Sequence, residues 1–170
     1  MRWSRLVAAS GVALGLLAAG PAVAQDATLA PGTRFSAVRV DVRRLHALGL
    51  DGFAERVRAD LQVALARAFA DRLDGRGPAL VVRVTGISLN PYAGSESGRG
   101  RGGNGTNTDY LDGEALVVGP RGEVLLRHPQ LSATPASFGG AWYDPASESR
   151  RVVALTEHYA QWLRRRLGGD

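Results

Sequence analysis

Apolar residues recur at helical spacing between Asp51 and Asp74. This periodicity predicts an amphipathic helix with one apolar face. The apolar face consists of Phe53, Val57, Leu61, Ala64, Leu65, Ala68 and Leu73. A helix of this kind is stable only when its apolar face is covered, so a sheet is expected beside it. Asp51 is expected to cap its start and Gly75 to follow its end.

One strand is predicted before this helix and one after it. Phe35 to Val42 alternates between apolar and polar residues, which is typical of a half-buried strand. Ala79 to Leu89 begins with apolar residues on both faces, which indicates an interior strand. Because one helix joins the two strands, they are expected to pair in parallel through a right-handed crossover.

The second half of the chain predicts a hairpin followed by a helix. Tyr110 to His128 alternates around the turn signal Gly119–Gly122, whereas residues 129–143 read as irregular. Asp144 and Pro145 are typical of a helix start, with Asp as the capping residue. The buried face of this last helix is predicted to consist of Val152, Leu155, Thr156, Tyr159, Leu163 and Leu167.

The order strand-helix-strand-strand-strand-helix predicts an α+β two-layer sandwich, with one mixed sheet and both helices on one face. Residues 34–170 are expected to form this single domain. The Gly- and Ser-rich stretch at residues 90–107 has little to bury, so it is expected to be a mobile loop inside the domain.

The first 24 residues have the pattern of a secretory signal peptide. Arg2 and Arg5 precede an apolar run from Leu6 to Ala19, and Ala22–Ala24 provides small residues for cleavage near Ala24. The run is shorter than the roughly 20 residues of a membrane-spanning helix, although an uncleaved anchor is the alternative. A flexible leader at 25–33 and a periplasmic or secreted mature chain are therefore expected.

The amino-acid composition excludes several kinds of site. The chain has no Cys, which excludes disulfides, thiolate zinc sites and a lipobox. The net charge is +5, and removing a leader with two arginines leaves +3. A charge this small permits contact with anionic envelope material but does not indicate nucleic acid. No membrane span or lipid anchor is expected in the mature chain.

The Gly-rich stretch contains the letters of a dinucleotide fingerprint, Gly98-x-Gly100-x-x-Gly103. That fingerprint requires a strand before the glycines and a helix after them, whereas this stretch leads into a strand. A nucleotide site is therefore not expected. Arg99 and Arg101, with the free amides around them, are instead candidates for binding an anion or an anionic glycan.

Two sequence patterns bear on a hydrolytic site. The stretch Gly94–Gly98 resembles a nucleophile turn, but its central residue is Glu. Asp112 and Glu114 lie on one strand face close to Asp109, which could suit glycoside hydrolysis. The same pattern is typical of a solvated hairpin face, so no catalytic residue is assigned.

The three histidines give no metal-binding pattern. His46, His128 and His158 are far apart in the sequence and belong to no paired motif. A metal site would require them to converge with carboxylates in the fold. No metal ligand and no cofactor are therefore assigned.

The aromatic pair Trp142 and Tyr143 follows two glycines and precedes the last helix. Trp142 is expected to plug the end of the core and fix the entry of that helix. The alternative is a half-exposed anchor for a partner protein or a glycan, so both residues are candidate binding residues. Trp162 and Tyr159 are expected in the core.

The element order of Arg34–Leu89, followed by a hairpin and a helix containing Ala160–Leu163, resembles small periplasmic α/β domains. These are the amino-terminal domain of TolB and the CsgG- and LpoB-like folds. The CsgG- and LpoB-like members carry a lipobox Cys that is absent here, so the resemblance implies the fold and compartment without the lipid anchor.

These patterns favour a non-catalytic envelope protein that acts as a binding or assembly accessory. Its expected partner is an envelope protein or an anionic glycan. Two alternatives stay open at this point. One is a small hydrolase of an envelope polymer that uses carboxylates with His46 or His128, and the other is an anion- or glycan-binding domain that uses Arg99, Arg101 and Trp142.

Overall fold

The computed structural model of the chain describes residues 29–30, 32–91 and 107–168. One mixed sheet is covered on one face by helices, which confirms the α+β two-layer sandwich. The predicted signal peptide, most of the leader and residues 92–106 of the Gly-rich stretch lie outside the described residues.

The sheet contains four strands in the order β1-β2-β3-β4. They are β1 (Ala37–Asp41), β2 (Ala79–Ser88), β3 (Thr108–Val118) and β4 (Val124–Pro135). β1 and β2 are parallel, as the predicted crossover requires, while β3 is antiparallel to both β2 and β4. The interior position of β2 and the hairpin are therefore confirmed.

Three helices complete the fold: α1 (Arg43–Ala47), α2 (Asp51–Ala68) and α3 (Ser147–Gly168). Leu61 of α2 and Leu155 of α3 are both 0% exposed, so the two predicted apolar faces meet in the core. All six residues predicted for the buried face of α3 are buried. No helix in the described ranges is long and apolar enough to cross a membrane.

The ends of α2 differ from the prediction. Leu50 precedes the helix, and Asp51 does not cap it, because its carboxylate bonds the imidazole of His46 instead. The helix ends at Ala68 rather than near Gly75. Phe69 packs edge-on against Phe35 at 5.7 Å between ring centroids, and this contact turns the chain towards the sheet.

Strand β4 is longer than predicted, because it continues to Pro135 through residues that were expected to be irregular. In this half of the strand Gln130, Ser132 and Thr134 share the inward-facing side, and Ser132 and Thr134 are buried. The usual alternation of apolar and polar residues is therefore absent, although the pairing with β3 is continuous.

A buried arginine closes the end of α3. The guanidinium of Arg72 donates to the carbonyl oxygens of Leu167 at 3.1 Å and Gly168 at 3.2 Å. These carbonyls have no partner within the helix, so the arginine satisfies them. The turn after α2 and the end of α3 are thereby joined.

Gly113 of β3 leaves room for the ring of Tyr159 from α3. A Cβ at Gly113 would lie 2.9 Å from the Tyr159 hydroxyl and 3.0 Å from the carbonyl oxygen of Arg83. Tyr159 is fully buried, and within the described residues its hydroxyl has no hydrogen-bond partner. Burial, followed by the charges of Asp112 and Glu114, raises the pKa of this phenol.

Replacing Gly113 with Ala should lower the free energy of unfolding by about 1–3 kcal/mol, because the new methyl group overpacks the contact with Tyr159. Tyr159→Phe removes a hydroxyl that bonds nothing and should be close to neutral alone. Combining it with Gly113→Ala should restore part of the lost stability. Urea unfolding of the four proteins measures this coupling, and strictly additive effects would contradict it.

Candidate binding site at the end of the sheet

The structure describes two of the four predicted binding residues. Arg99 and Arg101 lie outside the described residues. Trp142 and Tyr143 lie together on the surface, 70% and 74% exposed, with ring centroids 5.8 Å apart. The expectation that Trp142 plugs the core is therefore wrong, because its ring lies on the surface.

Trp162 also departs from its expected place, since it is 41% exposed on the outer side of α3. Arg165 lies over its ring at 4.3 Å and His158 meets its edge at 6.1 Å. Tyr159, on the inner side of the same helix, is in the core as predicted.

The two exposed aromatics belong to the segment 136–146, which we call the aromatic loop. It starts as a 3₁₀ turn, Ala136–Gly139, and the Ala136 amide donates to the Asn107 carbonyl at 2.7 Å. Gly140 then reverses the chain with φ of 77°, a conformation that favours glycine.

Arg150 of α3 fixes the shape of the aromatic loop. Its Nε and Nη2 donate to the Gly139 carbonyl at 2.9 and 2.6 Å, and Nη2 also donates to the Asp144 carboxylate at 2.7 Å. Asp144 accepts a further bond from the Ala146 amide at 2.8 Å, which forms a turn ahead of α3. Because α3 begins at Ser147, the prediction that Asp144 caps this helix and Pro145 is its first residue is wrong. The Ala146 amide, followed by Arg150, lowers the pKa of Asp144.

A cleft of about 560 Å³ lies between the aromatic loop and the adjoining ends of β3 and β4. Its walls are formed by Asn107, Thr108, Ala133, Thr134, Pro135, Ser137, Gly140, Ala141 and Trp142. Phe138, which is 57% exposed, extends the apolar surface beyond the cleft. We call this cleft, with Phe138 and Tyr143 at its rim, the aromatic cleft.

A buried ion pair supports the base of the aromatic loop. Asp109 at the start of β3 is 0% exposed, and Arg151 of α3 bonds both of its carboxylate oxygens, with Nε at 2.7 Å from Oδ2. Arg151 also donates to the Asn90 carbonyl at 2.7 Å, while the Asn90 amide donates to Asp109 at 2.9 Å. The ends of β2 and β3 are thus tied to the first turns of α3.

The ion pair changes the interpretation of two residues. The sequence groups Asp109 with Asp112 and Glu114 as candidate hydrolytic carboxylates, but in the fold the Asp109 carboxylate forms a buried ion pair with Arg151. The sequence motifs do not identify Arg151 as a site residue. The available signal was its position four residues before Leu155 on the buried face of the helix, where an arginine requires a buried acceptor.

Asp112 and Glu114, the other two carboxylates of this group, lie on the face of the sheet that carries no helix. Glu114 faces Arg83 at 3.4 Å and Arg127 at 3.2 Å, and Arg83 also reaches Asp41 at 3.8 Å. Asp112 is exposed. These contacts agree with a solvated, charged sheet face rather than with two carboxylates directed at one substrate.

His46 does converge with carboxylates. Its Nδ1 lies 2.7 Å from Asp51 and its Nε2 lies 3.0 Å from Glu55. The three groups are exposed on the surface where α1 meets α2, and the residues lining the aromatic cleft include none of them. Within the described residues no group of three or more histidines and carboxylates is arranged to hold a metal ion.

The hydrogen bonds to Asp51 and then to Glu55 raise the pKa of His46. The imidazolium can donate from both nitrogens, so its contribution to stability is present below the ordinary pKa of about 6.5. That contribution is lost as the pH rises through the raised folded-state pKa. An NMR titration should find the higher pKa in the native chain and a lower one in Asp51→Asn. Equal values in both proteins would contradict this assignment.

In comparisons with known proteins, no protein-family model matches the chain, and no curated protein or solved structure is significantly similar to it. The assignment of the candidate site therefore rests on the geometry of this chain alone. It is a rigidly held aromatic loop beside an apolar cleft, at an end of the sheet that an ion pair fixes from within.

Proposed function

We propose that the mature chain is a non-catalytic binding or assembly accessory of the cell envelope, active outside the cytoplasm. The compartment is supported by the leader pattern, in which Arg2 and Arg5 precede the apolar run and Ala22–Ala24 follows it. The absence of Cys agrees with a mature chain that has no lipid anchor. We also propose that the fold resembles the small periplasmic α/β domains, and the order of the strands and helices supports this resemblance.

One observation carries the binding role: Trp142 and Tyr143 are about three-quarters exposed on a loop that the fold holds in place. Tryptophan and tyrosine are enriched among the residues that dominate binding energy at protein interfaces. Arg150 bonds both the loop backbone and Asp144, so little conformational entropy remains to be lost when a partner binds.

The favoured partner is a protein. The cleft beside Trp142 is lined by the apolar side chains of Ala133, Pro135 and Ala141, and Phe138 continues the apolar surface. A folded protein exposes a patch of this kind mainly where another apolar surface covers it. The lining also contains four uncharged polar residues, Asn107, Thr108, Thr134 and Ser137, so a glycan is the second candidate partner, and the experiment below separates the two.

A photo-crosslinking amino acid placed at position 142 tests this function in intact cells that produce the full chain. We expect a light-dependent adduct with an envelope protein, formed by a chain that has lost its leader. The matched control is position 63, because Val63 is also exposed but lies on α2.

Equal labelling at positions 142 and 63 would contradict the assignment of the aromatic cleft as the binding surface. Adducts formed only by an unprocessed cytoplasmic chain would contradict the compartment. An adduct that consists of carbohydrate would replace the protein partner with a glycan.

A further inference from the structure

Strand β4 forms one edge of the sheet, and its outer side is unpaired within the described residues. The pairing with β3 determines which residues face outward. Ala136 lies opposite Asn107 and donates to its carbonyl, so the even-numbered residues of β4 bond β3. The backbone groups of the odd-numbered residues from Arg127 to Pro135 therefore point away from the sheet.

Two prolines limit the outward edge. Pro129 and Pro135 occupy outward-facing positions, where they have no N–H to offer an approaching strand. Prolines in such positions protect edge strands from uncontrolled pairing. Between them Leu131 and Ala133 keep both N–H and carbonyl groups directed outward, and the Leu131 side chain is 65% exposed. The open part of the edge is therefore short, and the two prolines mark its ends.

A second cleft, of about 380 Å³, runs between this edge and α3. Its walls are formed by His128, Pro129, Gln130, Leu131, Trp162 and Arg166. The floor is the unpaired side of β4, and the outer wall is the exposed face of α3. A segment that paired with Leu131 would direct alternate side chains towards Trp162 and Arg166.

The outer wall of the second cleft is positively charged. Arg165 lies 4.3 Å and Arg166 5.9 Å from the centre of the Trp162 ring. In contrast to Arg164, which pairs with Asp71 at 2.8 Å, neither has a carboxylate partner among the described residues. Two arginines at an aromatic face form a suitable site for a carboxylate.

We propose that the open edge of β4 between Pro129 and Pro135 binds a short, extended, acidic segment of a partner protein. The segment pairs with the backbone of Leu131 and Ala133 and places a carboxylate against Arg166 beside Trp162. This proposal rests on the proposed role in protein binding and specifies the chemistry of the partner. An extended backbone is favoured over a phosphate or lipid headgroup, because only another strand matches the outward N–H and carbonyl groups.

A random nine-residue peptide library displayed on phage tests the proposal with the mature chain as the target. We expect selected peptides to be rich in Asp and Glu and free of proline at their centre. Arg166→Glu should weaken their binding at least tenfold, and selection on this variant should lose the acidic preference. Arg121→Glu has the same charge change on the β3–β4 turn and serves as the matched control.

Leu131→Pro removes one outward N–H and should also weaken binding at least tenfold, while thermal unfolding shows whether the variant is folded. If Leu131→Pro does not fold, the result for Arg166→Glu decides. The proposal is overturned by a failure to select peptides, by peptides without acidic enrichment, or by Arg166→Glu binding as tightly as Arg121→Glu. Crosslinking at position 142 would then still support the aromatic cleft, so the two proposals can fail separately.

Discussion

Replacing Arg151 with Met should lower the free energy of unfolding by about 3–5 kcal/mol, a large part of the roughly 5–15 kcal/mol that stabilises a domain. The substitution leaves the Asp109 carboxylate fully buried without its cation. It also removes the bond to Asn90, so the end of β2 loses its connection to α3.

Urea unfolding of the purified protein measures this effect. Arg121→Met is the matched control, since Arg121 is exposed on the β3–β4 turn and should change stability by less than about 0.5 kcal/mol. The double variant Asp109→Leu with Arg151→Met should be more stable than Arg151→Met alone, because it removes both charges. A loss below 1 kcal/mol in Arg151→Met would show that the pair does not support this end of the fold.

Replacing Gly139 with Ala should cost about 1–3 kcal/mol and disturb the aromatic loop. A Cβ at this buried position would lie 2.6 Å from Arg151 Cγ and from Ser147 Oγ, and 2.7 Å from the Ser147 carbonyl oxygen. The carbonyl belongs to the backbone of α3 and cannot rotate away, so the loop itself must move.

Thermal unfolding measures the stability change, and the NMR signals of the Trp142 indole and its neighbours report the shape of the loop. Gly52→Ala is the matched control, since its Cβ would meet open space on α2. That variant should be about 0.5–1 kcal/mol more stable, because alanine favours a helix. Equal stability of the two variants, with unchanged loop signals, would contradict the packing described for Gly139.

The framework of the fold could be predicted because burial imposes periodicity on the sequence. The apolar faces of α2 and α3 and the alternation in β1 and β3 each follow from facing one core. The end of α2 could not be predicted in this way, because the contact between Phe69 and Phe35 joins residues far apart in sequence. The second half of β4 lacks this alternation, because polar side chains occupy its inward face.

The candidate site was only partly predictable. The position of Trp142 and Tyr143 after two glycines makes them candidates in the sequence, but their exposure depends on the path of the aromatic loop. Arg150 fixes that path through bonds to Gly139 and Asp144. No local pattern in the sequence encodes those bonds. The pairing of Asp109 with Arg151 joins a strand start to a helix turn and likewise becomes visible only in the fold.

We propose that the chain binds another protein through its exposed aromatic loop. The most direct measurement is the affinity of the purified chain for the protein that is crosslinked at position 142. Replacing Trp142 and Tyr143 together with Ala should raise the Kd by roughly 30-fold or more, equivalent to about 2 kcal/mol. The control variant Leu48→Ala, at another exposed apolar residue, should bind like the native chain. An unchanged Kd in the folded double variant would contradict the account.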